Sequence, residues 1–544
     1  MVTRQLCGYA YLDMDFASTV LKLFLVERFR AHGAPLGIDQ VAVVRHARRA
    51  ERLRSVRDVL LGLCLVALVL AVVGAAAATQ AGAHLARPLL HRYLSLGGWA
   101  LLAAVLLVYG WGWFVWRTAH LLHWGEAGPR EGARPLDSLL EAELDALDEA
   151  NVRAYATTYD GRRPLVDGEH PFVGHGSLVM ETVWPGIDVG RPAVDKEGRK
   201  LTIKPFDGAA LHAYVAEQAA GIAGIDGLRA RDRLYVRGHH VRDLGTELLP
   251  DPMRRPVTRI GSDRIAEGVA ASGNVRTYLS LELVGSDGTH VETMFLRARL
   301  TLSRLSWEIS AYAVPPLWAS IGEKVDELPL GPGERAFRLL GYTLRELRPQ
   351  LFRSVGRLVR RTARPLRNGV RLWSNRRRIV RRQGRFDYGT LYTLRAYVSD
   401  ADRWDYLQRM DARDALQRLQ QAVLLATERF LTEHNVDASD LKRIRKVVNN
   451  QSYNFNGPVV GQNNFGNHGT NVAGRSPAWS GDGTGKGPGA GTGAGTGAGA
   501  GRGGSEPVRG GGAGSSQAAA AGLGPSSAPA PSSAPAPAPG EAES

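Results

Sequence analysis

The chain is 544 residues long, sets 68 Lys and Arg against 53 Asp and Glu for a net charge of +15, and has two cysteines, Cys7 and Cys64. Length sets an expectation of two or three domains, but residues 472–544 are almost pure Gly, Ala, Pro and Ser and cannot contribute to a core. Two distant cysteines exclude a disulfide framework and fit a reducing compartment.

Residues 1–58 read as a cytoplasmic helical segment, because Phe16, Val20, Leu23, Phe24 and Val26 recur at helical spacing before Pro35 and Gly37 break the run. Residues 59–78, "VLLGLCLVALVLAVVGAAAA", carry no charge. At 1.5 Å per residue, about 20 residues match a bilayer core of about 30 Å, which predicts a transmembrane helix. A short external loop, 79–92, leads to a second uncharged run at 93–116, with Tyr93 at one end and Trp111, Trp113 and Trp116 as interfacial anchors at the other. The first run begins too far along the chain for a cleaved signal peptide. Arg45, Arg48, Arg49, Arg52, Arg54 and Arg57 precede it, against only Arg87 and Arg92 in the loop. The positive-inside rule therefore places a multi-pass hairpin in the cell membrane with both termini cytoplasmic.

Residues 117–150 form a linker and an acidic amphipathic helix, with Leu140, Leu144 and Leu147 on one side and six acids within 137–149. Residues 151–343 read as a cytoplasmic α+β domain. A helix over 209–219 has Asp207 as its N-cap, and strands over 275–284, 289–302 and 305–314 are joined by turns such as "GSDG". The economical arrangement is an antiparallel meander packed with helices. The fold class expected is thus an α-helical transmembrane hairpin, a cytoplasmic α+β domain and a disordered C-terminal tail.

Residues 344–385 are Arg-rich. Within them, 345–385 holds fifteen Arg and one acid, Glu346, a surplus of +14 that leaves the rest of the chain near neutral. Leu344, Leu347, Leu351, Val355, Leu358 and Val359 fall on one side of a helix that Pro349 and Pro365 interrupt, and such a stripe can lie on lipid. The expected anionic-lipid patch is Arg357, Arg360, Arg361, Arg376, Arg377, Arg378, Arg381 and Arg382. Two other readings stand beside it. The run could be neutralised by the acidic helix at 137–149, or it could bind nucleic acid, which is disfavoured because only Phe352 and Trp373 are available to stack. Residues 386–448 are helical, chiefly over 411–434, with Ser439 capping a short last helix.

No HExxH, paired CxxC or GxSxG pattern occurs. An enzyme would have to use Glu169, His170 and His175 in "EHPFVGHG" with His239 and His240. The competing reading makes these histidines surface or locally hydrogen-bonded residues. No catalytic, cofactor or metal residue is therefore assigned. "GDGTGKGPG" lacks the flanking strand and helix of a phosphate-binding loop and reads as linker.

The segment 449–471, "NNQSYNFNGPVVGQNNFGNHGTN", is rich in Asn and Gly and precedes the low-complexity tail, 472–544. As a linker it needs no β formers, yet it has Tyr453, Phe455, Val459, Val460 and Phe465 beside Asn residues able to ladder. "PVVGQNNF" resembles the RIP homotypic interaction motif and the bacterial amyloid-signalling motifs similar to it. Val460, Gly461 and Asn464 fall on that pattern, while Pro458 and Val459 depart from its opening pair. The resemblance implies self-assembly or a protein partner through Val459, Val460, Gly461, Asn464 and Phe465, and hence signalling. Elsewhere "YAYLDMDFA", "VAVVRHA", "HPFVGHG" and "FLTEHNVDASDL" resemble a group of uncharacterised actinobacterial two-span membrane proteins, a likeness that carries no activity. The expectation is a membrane-anchored, cytoplasm-facing interaction or signalling platform. The alternative is a membrane-anchored enzyme using the region of His170, His175 and His239.

Overall fold

Both uncharged runs lie within much longer helices. The structure is a computed structural model and describes residues 1–79, 83–156, 158–159, 163–164, 170–221, 227–285, 288–326, 331–381, 386–400, 403–441 and 444–445. The 449–471 motif and the tail lie outside the described residues.

The chain opens with α1 (Val2–Leu12) and α2 (Met14–Leu21), the second started by the Asp13 carboxylate accepting from the Phe16 amide at 2.9 Å. α3 (Gln40–Thr79) and α4 (Ala83–Trp124) form the hairpin. α3 starts 19 residues before the uncharged run, so about 28 Å of it extends among the N-terminal helices. There Val41, Val44 and Ala47 pack with Leu6, Phe16 and Val20. Between the two long helices, small residues permit close approach: the ring of Tyr93 lies against Gly74, and Ala71 lies against Gly97.

A short α5 (Ser138–Asp145) leads into β1 (Val152–Tyr155), the two-residue pair β2 (Thr158–Tyr159) and β3 (Arg163–Pro164), β4 (Ser177–Val183) and β5 (Ile187–Asp188). Then come α6 (Gly208–Ala220), capped by Asp207 as its sequence suggests, β6 (Arg229–Arg237), α7 (Ser262–Ala270), β7 (Val275–Val284), β8 (Val291–Thr301) and β9 (Arg304–Val314). α8 (Ala319–Asp326), the 50-residue α9 (Pro332–Arg381), α10 (Leu394–Tyr397) and α11 (Tyr406–Glu433) follow.

The region is α+β, and the meander β7–β8–β9 is antiparallel as expected, with Val284 opposite Val291 and Thr301 opposite Arg304. The complete sheet, in the order β1-β6-β7-β8-β9-β4 with β5 beside β9, is mixed rather than antiparallel throughout. The exception is β1, which runs parallel to β6, Val152 opposite Leu234. Four residues give β1 no readable alternation. Its place is set by distant backbone: the amides of Asn151 and Val152 donate to the Thr258 carbonyl, and the Thr390 amide donates to the Ala154 carbonyl.

Both sheet faces are covered. On one, Trp184, Trp307, Leu279, Leu281 and Met294 pack with Leu211 and Val215 of α6 and with Leu416, Leu419 and Val423 of α11. The other carries an aromatic cluster of Tyr235, Tyr278, Phe295 and Tyr312, onto which Phe172 is stacked. Polar residues on that second face are therefore buried too. Arg233 donates to Glu282 at 3.1 Å with both side chains enclosed.

Candidate membrane-facing surface and its arginine latch

α3 and α4 are long and apolar enough to cross a membrane, and only 17% of the most apolar window of each is buried. A core helix of a soluble domain would be mostly covered. Here Leu63, Val66, Val69, Val72 and Val73 of α3 and Leu94, Trp99 and Leu106 of α4 stand exposed, Val72 at 69%. An apolar patch of that extent on a soluble monomer is rare, and it marks a surface that something else covers.

The third member of this surface is α9. It is continuous through Pro349 and Pro365, where its sequence suggested interruptions. Each proline removes one backbone bond. Across Pro349 the Gln350 side-chain Nε2 donates to the Tyr342 hydroxyl at 2.8 Å. The contacts of α9 change direction at this point. The Arg335 guanidinium lies over the Trp116 ring at 4.6 Å, Leu339 and Tyr342 meet Gly112, and Leu347 and Leu351 join Leu61, Ala104 and Val108. Beyond Leu351 the helix returns along α3 towards its N-terminal half.

That return is held by charge. Asp58, fully buried one residue before the uncharged run, accepts from Arg57 at 2.8 Å, from Arg357 through two bonds of 3.0 Å and from Arg361 at 2.5 Å. Glu51, two turns earlier, takes Arg361 at 3.3 Å and also Arg364. Glu27 takes Arg371 at 2.6 Å. Arg357, Arg361, Arg364 and Arg371 recur at spacings of four, three and seven, one face of a helix.

The expected lipid patch is thus divided. Arg357 and Arg361 are turned inward as ligands of Asp58. Arg360, Arg376, Arg377, Arg378 and Arg381 are exposed on the outer side, with the Arg377 guanidinium 3.8 Å over the Trp373 ring. Arg382 lies outside the described residues. The expected apolar stripe divides likewise, Leu347 and Leu351 facing the hairpin and Leu344, Val355 and Val359 exposed. The acids of 137–149 are not the partners of α9. Glu141 holds Arg45, Glu143 faces His32 and Arg255, Asp145 holds Arg130, and Glu149 holds Arg259. Sequence reading missed Glu51 and Asp58. The available signal was an acid at the mouth of an apolar run, which has to find a partner.

Among the described residues the candidate histidines are divided between two places, His170 and His175 on one loop and His239 and His240 on another element. Residues 170–176 lie over the aromatic sheet face, with Phe172 stacked on Phe295 at 3.7 Å. The His170 Nδ1 accepts from the Phe172 amide at 3.2 Å while its ring leans on Tyr312. Gly174 and Gly176 adopt φ of +87° and +84°, and a Cβ at Gly176 would strike the Ala313 carbonyl, which explains the glycines of this loop. His175 is buried, 3.2 Å from the Thr293 hydroxyl, and burial pushes its imidazole down to about 3. His239 is on another element, 3.8 Å from Asp387, and His240 contacts Asp243 at 2.7 Å. Glu169 and the 449–471 motif lie outside the described residues. Among the described residues no group of three or more His, Cys, Asp or Glu is arranged to hold a metal ion.

Residues 177–467 match the family model for the AbeC-like domain, from β4 through α11 and on through the Asn/Gly-rich motif core. No curated protein matches the chain, and no solved structure does.

Two outcomes follow from this geometry. Asp58→Asn strands buried arginines, and removal of one partner of a buried charge network costs about 3–5 kcal/mol. Thermal melting of the purified chain in detergent should show a clear fall, and an unchanged melting temperature would mean that the latch contributes nothing. The second concerns His175. Its folded pKa lies below the ordinary value, so its contribution to stability is complete above about pH 6.5 and is lost as pH falls towards 3. His175→Gln should flatten that acid limb. Part of the slope remains through His32 and His46, both pushed down to about 4 by burial. An acid limb identical to that of the parent would show that His175 is not buried in its neutral form.

Proposed function

The chain belongs to the AbeC-like domain family, and on that premise we propose that it is a membrane-anchored, cytoplasm-facing interaction or signalling platform that clusters through residues 449–471. The observation that carries the reading is the pairing of uncovered apolar faces on α3 and α4 with a charge latch, Asp58 to Arg357 and Arg361, that ties the family domain to the hairpin. In this reading the hairpin crosses the bilayer, with 59–78 and 93–116 in the hydrocarbon. The bend of α9 reaches the inner leaflet, where the exposed Leu344, Phe352 and Val355 enter the interface beside the packed Leu347 and Leu351, and the rest of α9 rises along the N-terminal half of α3. The distribution of arginines favours both termini inside.

The assembly role rests on sequence. The family match runs through Val459, Val460, Gly461, Asn464 and Phe465 and ends at 467, ahead of the repetitive tail. That boundary groups the motif with the domain. Confinement of the chain to a surface raises its effective concentration, so weak cross-β contacts suffice for clustering.

Topology reporters test the placement. Fusions after Met1 and after Ser544 should both report the cytoplasm, and an insertion at Gly82 should report the outside. An external signal from the C-terminal fusion would overturn the arrangement. For the motif, a peptide of residues 449–471 should form fibrils with a strand spacing of about 4.7 Å. Val460→Asp should abolish them by stacking like charges at that spacing. A peptide that stays monomeric, together with unchanged clustering of a full chain lacking 449–471, would reduce the segment to a linker.

A further inference from the structure

Six arginines precede the first apolar run, and the structure uses them for different purposes. Arg54 is buried and donates to the carbonyls of Ala10 and Tyr11, both at 2.9 Å. Arg57 lies over the Trp111 ring at 4.6 Å and holds Asp58. The other four, Arg45, Arg48, Arg49 and Arg52, recur as one stripe of α3 and line a groove of about 350 Å³ that Arg134, Gly132 and Pro135 close from the linker side. No acidic side chain lines it. Glu51 and Asp58, the nearest acids on α3, are held by α9.

Within the groove the cations differ. Arg45 forms a two-bond fork with Glu141, both bonds 2.7 Å, and forms the floor. Arg49 donates to the Gly132 carbonyl and ties the linker to the helix. Arg48, Arg52 and Arg134 have no hydrogen-bond or ion-pair partner among the described residues, and Arg52 and Arg134 are exposed. Three unneutralised guanidinium groups converging on one concavity form a site for an anion with several acceptor oxygens, and guanidinium forks match phosphate geometry.

Depth selects the phosphate. Arg52 is seven residues before Val59, about 10 Å along the helix from the start of the apolar run. The headgroup layer is about 5–8 Å deep on each side of a bilayer, so an extended guanidinium from Arg52 reaches it, while Arg48, eleven residues before Val59, stands about 16 Å along the helix at the far part of the groove. Leu53 and Pro135 supply apolar wall on which a glycerol backbone can rest. We propose that this groove is a binding site for the phosphate headgroup of an anionic phospholipid, a site separate from the outward arginines of α9. The proposal rests on the membrane reading above.

The test uses the full chain in detergent micelles, titrated with phosphatidylglycerol, phosphatidylcholine or inorganic phosphate, with bound lipid read by native mass spectrometry. The parent should retain phosphatidylglycerol over phosphatidylcholine. The triple variant Arg48→Gln, Arg52→Gln, Arg134→Gln should weaken that retention about a hundredfold, since each charge near an anionic surface contributes about a factor of five. The triple variant Arg199→Gln, Arg264→Gln, Arg418→Gln, which removes three exposed arginines remote in sequence from the hairpin and α9, should retain the headgroup as the parent does. Arg→Lys at the three groove positions should recover part of the binding, which separates lost charge from a misfolded chain. Equal retention of the two lipids, or a groove variant that binds like the parent, would overturn the site. Displacement of the lipid by millimolar inorganic phosphate would assign the groove to a free anion and overturn the lipid. Alkaline carbonate extraction of cell membranes keeps the two readings apart. A chain that washes off overturns the membrane reading and this site with it, whereas a chain that stays while its groove variant binds normally overturns the site alone.

Discussion

A carboxylate enclosed at the mouth of an apolar run is the constraint on which the rest of this architecture depends. Asp58 is fully buried, and charge in that position is tolerated only when it is paired from several sides. Arg57 from its own helix and Arg357 and Arg361 from α9 supply that pairing. The demand of one residue thereby brings a helix nearly 300 positions later in the chain back onto the hairpin. From there α9 leads to Phe386 and Tyr388, which pack with Phe29 and beneath β1 and β6, so the sheet is placed by the same connection.

Several parts of this arrangement were legible in the chain. Leu279, Leu281 and Leu283 alternate with Ser280 and Glu282, and that period of two identified β7 and the meander around it. Alternation alone does not say whether the second face is wet, and here it is covered. α6 and α11 cover the leucines, while the 170–176 loop and Arg233 cover the other side, so polar residues are enclosed along with apolar ones. The parallel pairing of β1 was not legible because its determinants, the Thr258 and Thr390 backbones, are more than a hundred residues away.

Along α9 the pattern of arginines was legible and their division was not. Helical spacing told which side chains share a face, but the direction in which that face points depends on acids elsewhere. Composition offered the acid-rich 137–149 segment only as an alternative partner to lipid, and its carboxylates pair instead with cations that packing brings near. Glu141 is spent on Arg45, so the single acids Asp58, Glu51 and Glu27 hold α9 instead. The loop "HPFVGHG" offered two readings, chemistry or a local structural role, between which its residues alone did not choose. Histidine and glycine together suggest chemistry, but here two glycines permit left-handed turns and His175 fills space beside Thr293.

The latch also has a periodicity. Its acids are seven residues apart on α3, and the arginines facing them follow at steps of three and four on α9, with Arg361 shared between Asp58 and Glu51. A shift of α9 by a fraction of a helical turn would turn these arginines away from their acids, so the repeat of charges fixes the register in which the two helices meet.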